Sequence, residues 1–205
     1  MNRRENFTCF NIRTFLQSDK TELIGKESLT EILSDFICPK NTDVENFLKR
    51  NAVEFTRKNQ SVTYLVFSNE DAQLLGYFTI TIKPITVNAD RFSNTVRKKI
   101  LRVGELDEER NVITMPAYLI AQLGKNFDDR AEGKITGQEL LNIAMDTIKK
   151  VQYSVGGVVT FLEAVDNEKL KAFYDRDNGF KEFEIRKSKA GEHEPQTLVQ
   201  MLKVM

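Results

Sequence analysis

"YLIAQLGKNFDDRAEGKITGQELLNIAMDTIKK", residues 118 to 150, joins two patterns of different period through a stretch of small and charged residues. Its opening continues the apolar run MPAYLIAQLGK, which reads as a buried strand, and its end reads as one long amphipathic helix. The junction matters physically. A helix N-terminus exposes backbone N–H groups with no internal partner, and in open α/β sheets ligands bind where a strand hands over to such a terminus. Gly133 and Gly137 free the backbone for close approach, Lys134 adds positive charge, and Thr136 serves as a hydroxyl donor or as the helix cap. Phosphate is the ligand such a loop most often takes. The competing reading is an ordinary flexible loop ended by a glycine. The segment EGKITGQEL fits neither the Walker GxxxxGK-Ser/Thr pattern nor the GxGxxG dinucleotide fingerprint, which disfavours nucleoside triphosphate hydrolysis.

The rest of the chain alternates strands and helices without repeats or low-complexity linkers. FTCFNIRTF reads as an opening strand, and TELIGKESLTEILSDFI as a helix stopped by Pro39. NTDVENFLKRNAVEFTRKN reads as a second helix capped by Thr42 or Asp43, with Val44, Phe47, Leu48, Val53 and Phe55 as its buried stripe and Asn59 near its end. VTYLVFS and QLLGYFTITIKPI, rich in β-branched and aromatic residues and separated by a short polar turn, pair as an antiparallel hairpin. SNTVRKKILRV is a short basic helix. After the long helix come VGGVVTFLEAV as a buried strand, NEKLKAFYDRD as a helix, and FKEFEIRK and TLVQMLKVM as closing strands.

Composition narrows the function classes. The 205 residues support one substantial core, and 30 basic against 30 acidic residues give a formal net charge of zero, so no global field draws nucleic acid or an anionic membrane. Arg91 with the basic run VRKKILR still offers a local patch, read as an amphipathic surface helix or as a face for an acidic or nucleic-acid partner. The two cysteines, Cys9 and Cys38, are isolated, which argues against a zinc site or a disulfide framework and points to a reducing cytoplasm. No apolar run approaches the roughly 20 residues of a membrane span, and the start MNRRENFTCFNIR lacks a signal-like apolar core. The single histidine, His193, lies in a polar hairpin loop, so no histidine triad or multi-histidine metal site is available.

Two motifs together carry a resemblance. The segment 118 to 150, followed by GGVVTFLEAVDNEKLKAFYDRDNGFKEF, resembles the GNAT superfamily of N-acetyltransferases. That family follows its central strand with an Arg/Gln-x-x-Gly-x-Gly/Ala loop whose amides hold the pyrophosphate of acetyl-coenzyme A. The corresponding residues are Glu132, Gly133, Lys134, Ile135, Thr136 and Gly137, so the first position is acidic and Ile135 replaces the middle glycine. Ile135 must therefore run with a right-handed backbone. Downstream, NEKLKAFYDRDNGF is similar to the family's N..A..FYxxxGF, with Phe173 and Tyr174 as its FY and Gly179 and Phe180 as its GF, one residue further apart than usual. The likeness covers residues 60 to 205, and residues 1 to 59 fit the family's variable first strand and helices by order.

The resemblance implies a single acetyltransferase-like domain over 1 to 205: a GNAT-type mixed, largely antiparallel α/β sheet flanked by helices, whose splayed central strand leads to a cofactor loop at 124 to 137. Acetyl-CoA is then the co-substrate, with no metal. Leu123, Gly124, Lys125, the loop residues Gly133 to Gly137, Asn167 and Phe173 are its expected contacts, with backbone N–H groups near Leu123 polarising the thioester carbonyl. Tyr174 then lies near the coenzyme sulfur and gives its proton to the leaving thiolate, against the reading of a helix aromatic packed on the sheet. Glu163, in the otherwise apolar VTFLEAV, is read either as the base that takes the ammonium proton or as an end-of-strand residue facing solvent or paired with a lysine. Gln122 can hydrogen-bond substrate or carbonyl. The expected acceptor is a primary amine of a small molecule or peptide, with toxin-like acetylation of aminoacyl-tRNA as an alternative that the balanced charge disfavours, and the active species a monomer or homodimer. A catalytically weak acyl-CoA-binding or protein-interaction module is the reading from another class.

Overall fold

The computed structural model describes residues 6–16, 26–187 and 196–205. Its strands are β1 (Phe7–Asn11), β2 (Val62–Ser68), β3 (Leu74–Asn88), β4 (Glu105–Asp107), β5 (Val112–Lys125), β6 (Val159–Val165), β7 (Lys181–Lys187) and β8 (Thr197–Val204). Its α-helices are α1 (Arg13–Leu16), α2 (Lys26–Ser34), α3 (Thr42–Asn46), α4 (Ala52–Arg57), α5 (Asn94–Ile100), α6 (Gly137–Val155) and α7 (Glu168–Asp175). One eight-stranded sheet runs β1-β2-β3-β5-β6-β8-β7, with β4 attached to β5. β1/β2, β2/β3, β4/β5, β6/β8 and β7/β8 pair antiparallel, and β5/β6 pair parallel over Tyr118–Ile120 against Thr160–Leu162. The mixed, largely antiparallel sheet expected from the sequence is present.

The chain divides into two compact units, Met1–Thr81 with Ala121–Lys149 and Ile82–Ile120 with Lys150–Met205, so the division falls within β3, β5 and α6. In the first unit β2 and the first half of β3 are buried on both faces, as their nearly continuous apolar run requires. Its core gathers Ile12, Leu33, Phe36, Leu48, Leu65 and Tyr77. Thr63 and Thr79, both fully buried, satisfy each other across β2 and β3 through hydroxyls 2.8 Å apart. α6 contributes Leu140, Leu141, Ala144, Met145 and Ile148, the inward stripe of a 3.6-residue period. In the second unit β3 switches to alternation, with Ile85 and Val87 buried between exposed neighbours, because one face there is open. These residues join Ile113, Met115, Leu119, Phe161 and Leu202 in the second core.

Several local expectations change. The opening strand ends at Asn11 and passes into α1. The cap of α3 is Asn41, not Thr42 or Asp43: its side chain accepts from the Asp43 and Val44 N–H groups. A π-helical turn over Phe47–Asn51 then shifts the helical register, so that Leu48, Ala52 and Thr56 are buried while Phe55 is exposed and rests edge-on against Phe47. β4 is an additional short strand. His193 lies outside the described residues.

Candidate functional site

The cofactor loop begins on a pinned residue. Asn126 is 1% exposed at the end of β5. Its Nδ2 donates to the Leu74 carbonyl at 2.9 Å, and its Oδ1 accepts from the Ile37 N–H at 2.9 Å and the Asp128 N–H at 3.1 Å. Its own N–H donates to the Leu75 carbonyl, and the Phe127 N–H to the Ile37 carbonyl. A buried amide with this many bonds fixes where the backbone leaves the sheet. Beyond it Arg130 is held by Asp128 at 2.8 Å and by Asp35 at 3.0 Å.

From Ala131 the chain turns toward α6. The Ala131 N–H donates to the Asp128 carbonyl, Gly133 takes φ +72°, and Ile135 is buried at 1% exposure with no left-handed backbone, as its side chain demands. Ile135 thus anchors the loop to the core in place of a glycine. Thr136 is the cap, and its hydroxyl also donates, to Glu139: the hydroxyl accepts from the Glu139 N–H at 3.1 Å, while Glu139 Oε2 accepts from the Thr136 N–H at 2.9 Å. This reciprocal pair is a capping box, spelled T-x-x-E in the sequence. Lys134 is ion-paired with Asp71 from the β2–β3 turn, so its charge is already matched. Among the described residues, the backbone N–H groups of Glu132, Gly133, Ile135 and Gly137 have no hydrogen-bond partner. Orphan donors at a capped helix start are the chemistry a diphosphate needs, so the loop fits that group.

The strand residues before the loop divide between core and surface. Gly124 is buried: a Cβ there would stand 2.4 Å from Val44 Cγ1 and 3.2 Å from Phe36 Cζ, so close packing dictates this glycine. Gln122, Leu123 and Lys125 are half-buried, and Lys125 Nζ lies 5.7 Å from the Phe127 ring centre, with Lys40 Nζ at 4.6 Å.

In the second unit, Asn167 caps α7, its Oδ1 accepting from Lys169 N–H at 2.9 Å and Leu170 N–H at 3.3 Å. Phe173 and Tyr174 are half-buried, their rings 4.9 Å apart, and the Tyr174 ring meets the fully buried Phe180 at 6.0 Å. The extra residue between the FY and GF pairs is absorbed by Asn178, which donates to the Phe173 carbonyl at 2.8 Å, while Phe180 N–H donates to the Tyr174 carbonyl. Desolvation pushes the Tyr174 phenol up to about 12, and among the described residues its hydroxyl has no partner. Glu163 is engaged on both oxygens, Oε2 by Arg186 and Oε1 by Gln200 at 2.5 Å. The end-of-strand carboxylate is ion-paired, but with Arg186 and not with the lysine expected from the sequence. Tyr118 closes the far end of α6, donating to the Gly156 carbonyl. In α5 Lys98 and Lys99 are exposed and Arg97 is half-buried, none ion-paired among the described residues, while Arg91 donates to the Glu182 carbonyl at 3.1 Å. Among the described residues no cluster of three or more His, Cys, Asp or Glu is placed to hold a metal, and no helix is long and apolar enough to cross a membrane.

Sheet order, loop and helix positions together define a GNAT-type fold, and solved structures with that arrangement are matched along nearly the whole chain. AtaT complexed with acetyl-methionyl-tRNAfMet matches at 22% identity and a TM-score of 0.60, over 95% of this chain and 94% of that one. A tyrosine-to-phenylalanine variant of the AtaT toxin, bound to the C-terminus of the antitoxin AtaR and acetyl-CoA, matches at 20% identity and a TM-score of 0.56, covering 97% and 93%. A tyrosine-to-phenylalanine variant of KacT matches at 20% identity and a TM-score of 0.59, covering 94% of each chain. Identities this low establish the fold alone. No family model matches the chain, and neither does any curated protein.

Proposed function

We propose that this protein is an acetyl-CoA-dependent N-acetyltransferase that moves the acetyl group directly to a primary amine. The observation that carries the reading is the set of unpartnered amides at Gly133, Ile135 and Gly137, held at the start of α6 by the buried Ile135 and the pinned Asn126. The bound acetyl-CoA seen with an AtaT variant of the same fold supports it.

In this reading the loop amides bind the diphosphate and backbone N–H groups near Leu123 polarise the thioester carbonyl. The amine nitrogen bonds to the carbonyl carbon, the carbon–sulfur bond breaks, and the sulfur leaves with a proton, whose donor the resemblance to the GNAT superfamily assigns to Tyr174. Burial ensures that the phenol carries its proton at neutral pH, but it also makes Tyr174 a weaker acid than a free thiol. The step therefore runs with Tyr174 regaining a proton, through water, from the nitrogen that becomes the amide. Glu163 takes part as a base only where an acceptor draws Arg186 away from it.

For the acceptor, aminoacyl-tRNA gains weight over its standing from net charge alone, because a neighbour of this fold was solved with acetyl-methionyl-tRNAfMet and α5 presents basic residues without ion pairs. Release of free thiol from acetyl-CoA, followed with a thiol-reactive dye, tests the proposal against small amines, peptides and charged tRNA. Release that requires one acceptor class supports transfer and names the substrate. Saturable coenzyme binding without release from any acceptor would instead favour the catalytically weak binding module.

A further inference from the structure

The loop proposed to receive a diphosphate already contains negative charge of its own. Glu139, in the first turn of α6, turns back so that Oε2 accepts from both the Thr136 N–H at 2.9 Å and the Thr136 hydroxyl at 2.8 Å. The amides on either side of Thr136, those of Ile135 and Gly137, are among the unpartnered donors. A carboxylate thus occupies the donor that lies, in sequence, between two of those free amides. On the other side of the loop, Lys134 is held by Asp71, whose carboxyl that hydrogen bond pulls down to about 2. All of these residues belong to one compact unit.

We infer that Glu139 is a built-in anion that the coenzyme diphosphate must displace, and that its charge, together with Asp71's hold on Lys134, sets the loop's affinity. The inference rests on the acetyl-CoA reading of this loop. The carboxylate holds the Thr136 N–H and hydroxyl, next in the chain to two of the amides the diphosphate would use, so the like charge of a phosphate set there drives the Glu139 side chain to rotate away. That rotation releases the Thr136 N–H as one more donor, and the bound phosphate takes over the capping role that the carboxylate gives up. In the free protein the same carboxylate keeps the first turn of α6 capped. Affinity is thereby held below what the loop's amides alone would provide.

The test compares wild-type protein with Glu139→Gln and Asp71→Asn by isothermal titration of coenzyme A, inorganic pyrophosphate and pantetheine. Glutamine also completes a capping box, so Glu139→Gln removes the charge while keeping the cap. At a solvent-facing contact, loss of one like charge is expected to tighten coenzyme A by about threefold to thirtyfold. Pyrophosphate should follow in the same direction, and pantetheine, which lacks the diphosphate, should not respond. A wild type that binds coenzyme A with a Glu139→Gln variant that binds it equally or more weakly overturns the inference and leaves the cofactor reading standing. A wild type that binds no coenzyme A overturns the cofactor reading, and the pyrophosphate titration still decides whether Glu139 guards an anion site. Asp71→Asn, on a separate turn, carries the same comparison should Glu139→Gln fail to fold.

Discussion

Removing the Asn126 side chain should both destabilise the protein and loosen the loop. Asn126→Ala leaves three backbone groups without their partner: the Leu74 carbonyl, the Ile37 N–H and the Asp128 N–H. The Leu74 bond is buried, and the other two are partly buried. At about 1 to 3 kcal/mol for a buried group left unsatisfied, and nearer 1 for the two that water can reach, the loss comes to about 3 to 5 kcal/mol. For a chain of this size each kcal/mol moves Tm by about 2 to 4 °C, so the midpoint should fall by about 6 to 20 °C. Asn126→Asp keeps the acceptor for both N–H groups but sets a carboxylate oxygen against the Leu74 carbonyl, and it should be no more stable than the alanine variant. Differential scanning calorimetry reads both. An Asn126→Ala midpoint within about 2 °C of wild type would refute the claim that this amide fixes the chain where it leaves β5.

Other consequences follow from packing and ionisation. Gly124→Ala forces a Cβ against Val44 and Phe36, and should cost about 1 to 3 kcal/mol in denaturant unfolding; combined with Val44→Ala the losses should be clearly less than additive, and strict additivity would contradict the contact. Tyr174→Phe keeps the ring between Phe173 and Phe180, so turnover should fall by roughly 10 to 10,000-fold with coenzyme affinity and Tm nearly unchanged; normal turnover would make Tyr174 a packing residue only. Burial raises the phenols of Tyr64, Tyr77, Tyr118 and Tyr174. Unfolded tyrosines ionise near about pH 10 while these retain their protons, so the unfolded state binds fewer protons above that pH and stability falls as pH rises from about 10 toward 12. Urea midpoints that do not differ between pH 9 and pH 11 would contradict this.

What could be read in advance was what local period encodes. β2, β3, β5, β6 and α6 are legible because their apolar residues repeat at the spacing of the element they form, and the loop between β5 and α6 because glycine punctuates it. The cap of α3 was ambiguous because Asn41, Thr42 and Asp43 are three capping residues in a row, and tertiary packing chooses among them. The π turn at Phe47–Asn51 has no sequence mark, yet it moves Phe55 out of the buried stripe. Asn126 could not be singled out because its partners are 52 and 89 residues away, and the same distance effect hid Arg186 and Gln200 beside Glu163. Glu139 is legible in the sequence, because the T-x-x-E spacing from Thr136 spells a capping box.

The unpartnered amides are best tested by amide NMR of isotope-labelled protein titrated with coenzyme A. If they hold the diphosphate, the Gly133, Ile135 and Gly137 resonances shift together and saturate with a single dissociation constant, and the Asn126 resonance, already bonded within the protein, moves far less. Saturable binding that leaves those three resonances in place would put the coenzyme elsewhere on the protein and contradict the proposed site.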